Sequence, residues 1–454
     1  MSAELLSLLT KYDVPTPRYT SYPTVPFWNF DTLSLADWKQ SVINTFTAEN
    51  GELCLYIHLP FCEELCTYCA CNKRITKNHA VETPYLESVL KEWQLYFSLF
   101  PSKPTIREIH LGGGTPTFFS PENLVKLIKG ITANCNISAE HEFSVEVHPN
   151  YTSKAHLEAL QSVGFNRISL GVQDFDPEVQ YIINRIQSFE KTKEVIDWAR
   201  ELGYFSVNLD LIYGLPKQTL DGIKRTFEKV VELQPDRIAF YSYAHVPWKS
   251  KGQRRYSDED VPKADVKIEM YSLGNELLSQ MGMVSIGMDH FALPTDKLMT
   301  AYKIGALHRN FMGYTTTNHK LVIGLGASSI SDTWNAFAQN EKTVEDYQQK
   351  IEAGEWPIIH GHQLKANDLL IRKHILNLMC NDSTELNPAD FDAAFFNHIK
   401  TKLSSYVQDG LATFEGNKIT VTTKGKLFVR NISSAIDEYL YANQTGLNMF
   451  SKAI

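Results

Sequence analysis

Two kinds of hydrophobic pattern alternate between about residues 50 and 245. Short apolar runs predict six strands, at residues 53–60, 106–113, 141–149, 166–173, 205–215 and 236–244. Longer amphipathic stretches predict helices between them, at residues 81–99, 121–133, 153–163, 188–202 and 219–233. Each strand-plus-helix unit takes roughly 30 residues, as in right-handed βαβ crossovers. The pattern therefore predicts an α/β fold whose parallel sheet forms an open or closed (β/α) barrel.

The segments on either side of this region have a different character. The first 50 residues contain PTPRYTSYPTVPF, whose prolines favour an extended arm over a helix. After residue 245 a loop precedes a predicted helix at 263–281. From about residue 366, helical stretches are followed by a predicted hairpin and a helix, as in a small winged-helix-like domain. We expect four parts: an arm (1–50), the barrel (51–290), a barrel extension and connector (291–365), and a C-terminal domain (366–454).

Composition narrows the range of partners. The chain has 454 residues, 43% hydrophobic and 21% charged, which is typical of a soluble globular protein. The net charge of −8 gives no basic bias towards nucleic acid, and no polybasic run predicts membrane binding. Neither a signal peptide nor an apolar run of ~18 residues is evident, so we expect a cytoplasmic protein. An acidic substrate would need local arginines or lysines, because the global charge opposes it.

A short loop after the first predicted strand carries the densest group of cysteines. Cys62, Cys66 and Cys69 stand in FCEELCTYC, a C-x₃-C-x₂-C spacing. Three thiolates so close together can hold three corners of a 4Fe–4S cluster, which normally has four cysteine ligands. One iron would then stay open for chemistry. A zinc site or chance clustering are the alternatives, although structural zinc sites draw ligand pairs from two separate places.

Several motifs make the chain resemble a known family. FCEELCTYC after a strand is similar to the radical S-adenosylmethionine (SAM) superfamily. Seven further segments resemble the oxygen-independent coproporphyrinogen III oxidases: PRYTSYPT, CACNK, HLGGGTPTFF, GVQDF, LDLIYGLPKQT, GMDHFA and HRNFMGYTT. They occur in that family's order from Pro17 to about Asp332, and the resemblance extends over essentially the whole chain. It implies a partial (β/α)6 radical SAM barrel with a small, mainly α-helical C-terminal domain.

The resemblance also implies a reaction and its cofactors. A 4Fe–4S cluster on Cys62, Cys66 and Cys69 would chelate SAM at its open iron, whereas Cys71 would not be a ligand. Electron transfer to SAM would give a 5′-deoxyadenosyl radical. The radical would start the oxidative decarboxylation of two propionates of coproporphyrinogen III, giving the vinyl groups of protoporphyrinogen IX. Two SAM molecules, an electron donor such as flavodoxin or ferredoxin, and a monomeric enzyme are expected.

By the same resemblance, individual residues fall into two SAM sites. The contacts to the first SAM would be Tyr56, Gly113, Glu146 and Ile330. The contacts to the second would be Gly114, Thr115, Gln173, Arg185, Asp210 and Ala244, with Tyr68 beside the cluster. Taken singly, these residues have plainer readings: a core tyrosine at 56, a tight turn at 112–116, and structural ion pairs at 146 and 185. Most of them lie at or near predicted strand C-termini, where a barrel places its ligands.

Substrate recognition would need basic side chains, because coproporphyrinogen III carries four propionates. The candidates are Arg18, Lys73, Arg74 and Arg309, with Asp289 and His290 as partners for pyrrole N–H groups; ordinary surface charge is the alternative. The chain departs from the family pattern at Tyr68, Ala70 and His148, where Phe, Gly and Asp are usual. None of these changes removes a cysteine.

Two other functions remain open at the level of sequence. One is a related radical SAM enzyme that acts on haem itself, and the other is a haem-binding chaperone without redox turnover. Chaperone-type relatives generally lack PRYTSYPT and the C-x-C-N-K ending of the cysteine loop, both of which are present here.

Overall fold

The computed structural model describes residues 3–248, 250–443 and 450. Its strands, in chain order, are β1 (Glu52–Leu59), β2 (Phe61–Cys62), β3 (Arg74–Ile75), β4 (Thr105–Gly113), β5 (Asn136–Val147), β6 (Arg167–Gln173), β7 (Ser206–Tyr213), β8 (Arg237–Ser242), β9 (Val284–Gly287), β10 (His290–Ala292), β11 (His308–Asn310), β12 (Gly313–Thr315), β13 (Val322–Leu325), β14 (Ile330–Asp332), β15 (Ala336–Asn340), β16 (Ile358–Gln363), β17 (Ser383–Glu385), β18 (Ala412–Glu415) and β19 (Lys418–Val421).

The α-helices, in chain order, are α1 (Ala3–Tyr12), α2 (Leu35–Ala48), α3 (Glu82–Phe97), α4 (Pro121–Thr132), α5 (Lys154–Gln161), α6 (Pro177–Ile182), α7 (Phe189–Glu201), α8 (Leu220–Leu233), α9 (Ala264–Gln280), α10 (Lys297–Lys303), α11 (Val344–Glu352), α12 (Ala366–Asn381), α13 (Ala393–Gln408), α14 (Val429–Ser434) and α15 (Glu438–Ala442). Hydroxyl side chains cap the N-termini of four crossover helices by accepting backbone N–H bonds. These caps are Ser120, Ser153, Ser188 and Thr219.

A parallel sheet of sequential strands forms the centre of the molecule. The six strands β1, β4, β5, β6, β7 and β8 lie side by side in chain order and pair in parallel. They coincide with the six predicted strands, and the helices between them match the predicted crossovers, so the partial (β/α)6 barrel is confirmed. A seventh parallel strand, β13, pairs with β1 at the open edge. The edges continue into antiparallel strands, with β14, β15 and β16 on one side and β10 and β9 on the other.

The two faces of the barrel strands differ in polarity. Alternate residues such as Leu55 and Ile57 are fully buried against the helices and belong to one large hydrophobic core. The residues between them are mostly polar and line the inside of the barrel. The register sets Tyr56 beside His110, and His110 beside Ser144, across three neighbouring strands. The barrel therefore encloses polar cavities instead of a wholly apolar core.

The N-terminal arm is less extended than the sequence predicts. Residues around PTPRYTSYPT are non-helical, as expected, but α1 and α2 flank them. Helix α2 begins at the Ser34 cap and buries Trp38, Val42 and Phe46 on one face. This spacing of four residues is a helical signal that the prediction overlooked beside the proline-rich stretch.

The C-terminal region has its own hydrophobic cluster, built from residues of α12, α13 and α14 together with α1. Strands β17, β19 and β18 form a small antiparallel sheet beside these helices. The β18–β19 hairpin followed by α14 matches the predicted hairpin and helix. Residues 444–449 and 451–454 of the predicted C-terminal domain lie outside the described residues. In the described part of the chain, no helix is long and apolar enough to cross a membrane.

Candidate active site

The cysteine loop lies at the C-terminal end of β1. It leaves the barrel through β2 and returns through β3, and these two short strands pair in parallel. The backbone N–H of Arg74 donates to the carbonyl of Pro60 at 2.8 Å, and that of Thr76 donates to the carbonyl of Cys62 at 2.9 Å. The loop is therefore closed at its base, and its sulfurs are held at the rim of the barrel.

The far side of the loop is tied to the segment after β6. The N–H of Thr67 donates to the carbonyl of Ile183 at 2.9 Å, and Asn184 Nδ2 donates to the carbonyl of Leu65 at 2.9 Å. All four cysteines of the loop line one cavity of about 320 Å³, together with residues of β4, β5, β6 and β7. Among residues 3–248, 250–443 and 450, no set of three His, Cys, Asp or Glu side chains is arranged around a single metal-ion position.

Hydrogen-bond donors lie beside the three sulfurs, while burial raises the pKa of Cys62 to about 11. The Thr115 hydroxyl donates to Cys62 Sγ at 3.4 Å, and Arg185 Nη1 donates to Cys66 Sγ at 3.6 Å. A hydrogen bond from Cys71 lowers the pKa of Cys69 to about 6. Because iron–sulfur clusters are bound by thiolates, these donors fit a cluster held by the three motif cysteines, with Cys71 as a supporting group.

The glycine motif after β4 allows the backbone to pass very close to the cysteine loop. Gly113 has a φ of +111°, and a Cβ added there would lie 2.5 Å from Cε1 of His58. A Cβ on Gly114 would lie 2.5 Å from the carbonyl carbon of Pro60. Only glycine fits at these two positions, so the turn is built for close approach and not merely for chain reversal.

Glu146 at the end of β5 faces the inside of the barrel. Its Oε1 is 3.2 Å from His110 Nε2, and its Oε2 accepts the Gly113 N–H at 3.2 Å. The enclosed position opposes ionisation, but the hydrogen bond and charge of His110, with the Gly113 N–H, hold the pKa of Glu146 below its usual value. Glu146 is therefore an anionic group between the cavities, with 44% of its side-chain surface accessible.

Tyr56 reaches the same space from β1. Its hydroxyl is 2.9 Å from His58 Nδ1, and His58 Nε2 is 3.0 Å from the carbonyl of Asn72. His58 thus connects Tyr56 to the end of the cysteine loop. A cavity of about 610 Å³ is lined by Tyr56, His58, Cys71, Gly113, Glu146 and Ile330, among others.

A second group of predicted residues gathers on the β6 and β7 side. Arg185 Nη2 donates to the carbonyl of Gly171 at 2.5 Å, and a Cβ on Gly171 would lie 2.7 Å from that nitrogen. Gln173 and Asp210 line the same cavity as Arg185 and the cysteines. Burial and the nearby charge of Glu146 raise the pKa of Asp210 to about 6. This group therefore offers both a guanidinium and a carboxylate to one ligand.

Two predicted residues occupy the edge of this arrangement. Tyr68 lines the cavity of the cysteines. Ala244, just after β8, lines neither of the two cavities; its carbonyl accepts a bond from Gln253 Nε2 at 3.3 Å. The same Nε2 is 3.4 Å from the carbonyl of Tyr68. The structure therefore gathers the predicted SAM contacts around two adjacent cavities, with Ala244 behind the cavity wall.

The candidate substrate residues separate into two places. Arg18 forms an ion pair with Asp289, and His290 and Arg309 lie close by on the β8 and β10 side. Arg74 instead pairs with Glu345 at 2.9 Å on an exposed surface. Lys73 Nζ donates to the carbonyls of Cys69 and Cys71, at 3.0 and 3.2 Å, and so stabilises the cysteine loop.

The sequence prediction missed three cavity residues, His58, His110 and Tyr241. The signal was available in the strand pattern. Parallel strands covered on both faces usually read as continuous apolar runs, yet here polar residues stand at many of the alternate positions. In β1 the second-neighbour spacing places Tyr56 and His58 on one face, and therefore both point into the barrel.

Comparison with known proteins places this geometry in a family context. Residues 56–230 match the model of the radical SAM superfamily. This range contains the cysteine loop, the glycine motif and the strands β4 to β7.

Relatives of known name cover nearly the whole chain. The oxygen-independent coproporphyrinogen III oxidase of Pseudomonas aeruginosa is 39% identical over 448 residues, covering 95% of each chain. That of Escherichia coli is 37% identical and covers 99% of this chain and 98% of its own. The solved structure of the Escherichia coli coproporphyrinogen III oxidase HemN, a radical SAM enzyme, superposes with a TM-score of 0.88 at 36% identity, covering 94% of this chain and all of that one.

Proposed function

The chain belongs to the oxygen-independent coproporphyrinogen III oxidases of the radical SAM superfamily, and we propose that the two barrel cavities are where it performs that family's reaction. It converts coproporphyrinogen III to protoporphyrinogen IX by oxidative decarboxylation: each of two propionates loses a β-hydrogen atom, CO₂ and one electron, which passes to an acceptor, and becomes a vinyl group. The observation that carries the assignment of the site is the convergence of Cys62, Cys66 and Cys69 with Glu146 on one cavity. The haem-directed alternatives are not favoured, because the full-length relatives carry the oxidase name.

A 4Fe–4S cluster with SAM supplies, when bound, the radical that removes a hydrogen from a propionate. The protein's own groups have the tasks of binding, orientation and exclusion of water. Cys62, Cys66 and Cys69 would hold the cluster. The ionised Glu146 would accept a hydrogen bond from the amino group of the first SAM, and Gly113 lets the backbone come close to it.

We also propose that a second SAM binds beside the first. The support is the group of Gln173, Arg185 and Asp210 on the same cavity as the cysteines. Arg185 suits the carboxylate of that SAM, because a guanidinium pairs with carboxylates in a bidentate geometry. The ionised Asp210 can accept hydrogen bonds from it above pH about 6. Binding of the two SAM molecules one after the other at a single site would contradict this proposal.

Several features of the enzyme in the cell belong to the same proposal. We expect a cytoplasmic monomer that receives electrons from a donor such as flavodoxin or ferredoxin. Neither nucleic acid nor membrane binding is expected, since the net charge of −8 comes without a basic segment.

An anaerobic turnover assay tests the function. Reconstituted protein, SAM and dithionite are incubated with coproporphyrinogen III, and the products are separated chromatographically. We expect protoporphyrinogen IX and 5′-deoxyadenosine, and neither from Cys62→Ala. Formation of 5′-deoxyadenosine without protoporphyrinogen IX would refute the substrate while leaving the superfamily chemistry in place. Tight stoichiometric haem binding without SAM cleavage would favour the chaperone function instead.

A further inference from the structure

Three arginines from distant parts of the chain meet beside the barrel cavities. Arg18 comes from the N-terminal arm, Arg309 from β11 and Arg430 from α14; we call them the arginine cluster. Asp289 lies among them, in an ion pair with Arg18. Arg430 is close enough to Arg18, Asp289 and Arg309 to interact electrostatically with each. The fold therefore brings three guanidinium groups to one place from three separate segments.

The C-terminal region holds the arm so that Arg18 is presented to this place. Arg430 Nε donates to the carbonyl of Pro17 at 3.1 Å, and Asn431 Nδ2 donates to the carbonyl of Tyr12 at 3.0 Å. The Tyr19 hydroxyl donates to Asp437 Oδ2 at 3.0 Å. The residues on both sides of Arg18 are thus fixed, while 35% of the Arg18 side chain stays accessible.

Positive charge predominates in the arginine cluster. Arg309 is only 5% exposed, yet its Nε and Nη1 have no hydrogen-bond partner among the described residues. Burial and repulsion by Arg18, with a smaller contribution from Arg309, lower the pKa of Arg430 to about 10. Burying the Arg309 donors without acceptors is costly, so this position suits an anionic ligand.

Two other arginines of the barrel, Arg167 and Arg237, each form an ion pair with a carboxylate. Arg167 Nη1 lies 2.8 Å from Glu142 Oε1, and Arg237 Nε lies 2.7 Å from Asp296 Oδ1. Arg309, by contrast, contacts the ring of Tyr314, with Cζ 4.6 Å from the ring centroid. Some nitrogens of Arg167 and Arg237 also lack partners, but Arg309 differs from both in forming no ion pair with a carboxylate among the described residues.

The arginine cluster adjoins the reaction cavities through Tyr241. The Tyr241 ring centroid is 5.8 Å from Cζ of Arg18, and its hydroxyl is 3.4 Å from His290 Nε2. Tyr241 also lines both the cavity of the cysteines and the larger cavity beside Glu146. Residues 310–312, directly after Arg309, line the larger cavity too. A ligand with several carboxylates can thus extend from the larger cavity towards the arginine cluster.

We propose that the arginine cluster binds the propionates that coproporphyrinogen III retains through the reaction. This inference rests on the proposed function and adds the residues that recognise the substrate, including Arg430, which sequence reasoning missed. A guanidinium stabilises the charged carboxylate, often through two parallel hydrogen bonds. A carboxylate that leaves as CO₂ must give up its charge, so tight arginine binding favours the groups that stay. The propionate that reacts then lies in the larger cavity, away from the arginine cluster.

A binding experiment that needs no turnover tests the cluster. Coproporphyrin III, the stable oxidised tetracarboxylate, is titrated into reconstituted holoenzyme and followed by its fluorescence. We expect Arg309→Gln to weaken binding by roughly 30-fold or more, as for loss of one partner of a buried charged contact. Arg309→Lys keeps the charge and should retain part of the affinity. The control Arg74→Gln changes an exposed arginine paired with Glu345 and should bind like the wild type.

A second ligand distinguishes recognition of the carboxylates from recognition of the porphyrin ring. The tetramethyl ester of coproporphyrin III has no carboxylates, and we expect wild type and Arg309→Gln to bind it equally. Equal affinities of the two proteins for the tetracarboxylate would overturn the inference. An equal loss of affinity for the tetracarboxylate and the ester in Arg309→Gln would also overturn it. A thermal unfolding scan of each variant establishes that it is folded, and Arg430→Lys provides a second test if Arg309→Gln is not. If Arg309→Gln loses affinity for the tetracarboxylate but not for the ester, and the wild type shows no turnover, the inference stands and the proposed function is contradicted.

Discussion

Replacing Gly113 with alanine tests the close contact between the glycine motif and the strand that carries Tyr56. A Cβ at this position would lie 2.5 Å from Cε1 and 2.6 Å from Nδ1 of the buried His58. The His58 ring can move only by giving up its contacts to Tyr56 and to the carbonyl of Asn72. The substitution should therefore disturb both the fold and the SAM site.

Two costs add up to the stability loss expected for Gly113→Ala. The backbone φ of +111° is strained for any L side chain, which costs about 1–2 kcal/mol. Forcing the methyl group against His58 adds about 1–3 kcal/mol of overpacking. Gly203 is a matched control, because its φ is +83° and nothing lies within 4 Å of an added Cβ. Gly203→Ala should thus show only the backbone cost, and Gly113→Ala a total of about 2–5 kcal/mol.

Denaturant unfolding gives the loss in free energy of unfolding for each variant, when the dependence of that free energy on denaturant concentration has the same slope as in the wild type. The SAM-cleavage assay should show a raised KM for SAM in Gly113→Ala and an unchanged one in Gly203→Ala. Equal stability losses in the two variants, with normal SAM cleavage in both, would refute the claim that His58 and Gly113 are packed against each other.

Three further predictions follow from other parts of the structure. Burial, with repulsion by Glu142, raises the pKa of Glu108 to about 7 from its usual 4.5. The folded state then holds a proton that the unfolded state has released, so the free energy of unfolding should fall as pH rises from 4.5 to 7, and less steeply in Glu108→Gln. Asp332→Asn leaves the buried Arg372 without its carboxylate and should cost about 3–5 kcal/mol in denaturant unfolding. Cys62→Ala should remove the visible iron–sulfur absorption of the reconstituted protein.

Matched variants control these three measurements. Glu201→Gln changes an exposed carboxylate and should leave the pH profile of stability as it is. Asp197→Asn breaks an exposed ion pair with Lys193 and should cost under about 1 kcal/mol. Cys135→Ala changes a buried cysteine outside the loop and should keep the absorption. A flat wild-type pH profile, equal costs of the two aspartate variants, or equal absorption of the two cysteine variants would contradict the corresponding prediction.

The regular part of the fold could be read from the sequence because each barrel strand buries an apolar face under an amphipathic helix. Strand β13 escaped prediction because four residues, Val322–Leu325, give too short a run to distinguish a strand from a loop. Helix α2 was missed because the prolines of the preceding stretch led to the prediction of an extended conformation for the whole arm. Short elements owe their structure to tertiary pairing, which local pattern does not record.

The residues of the candidate site likewise divide into those that could be predicted from the sequence and those that could not. The cysteine spacing after a strand indicated Cys62, whereas Glu146 and Arg185 were assigned to the site through the family resemblance, which their places at or near strand C-termini support. Arg430 could not be predicted, because its position beside Arg18 depends on the packing of the two ends of the chain. Nor could the buried Arg309 be distinguished from the exposed Arg74, because their burial depends on the tertiary fold.

Deuterium transfer tests the central claim most directly. Coproporphyrinogen III labelled with deuterium at the β-carbons of its propionates is turned over anaerobically by the reconstituted protein with SAM. We predict that deuterium appears in 5′-deoxyadenosine and that two molecules of 5′-deoxyadenosine form for each protoporphyrinogen IX. Unlabelled 5′-deoxyadenosine alongside protoporphyrinogen IX would contradict hydrogen removal from the propionate, and label transfer without decarboxylation would contradict the proposed reaction.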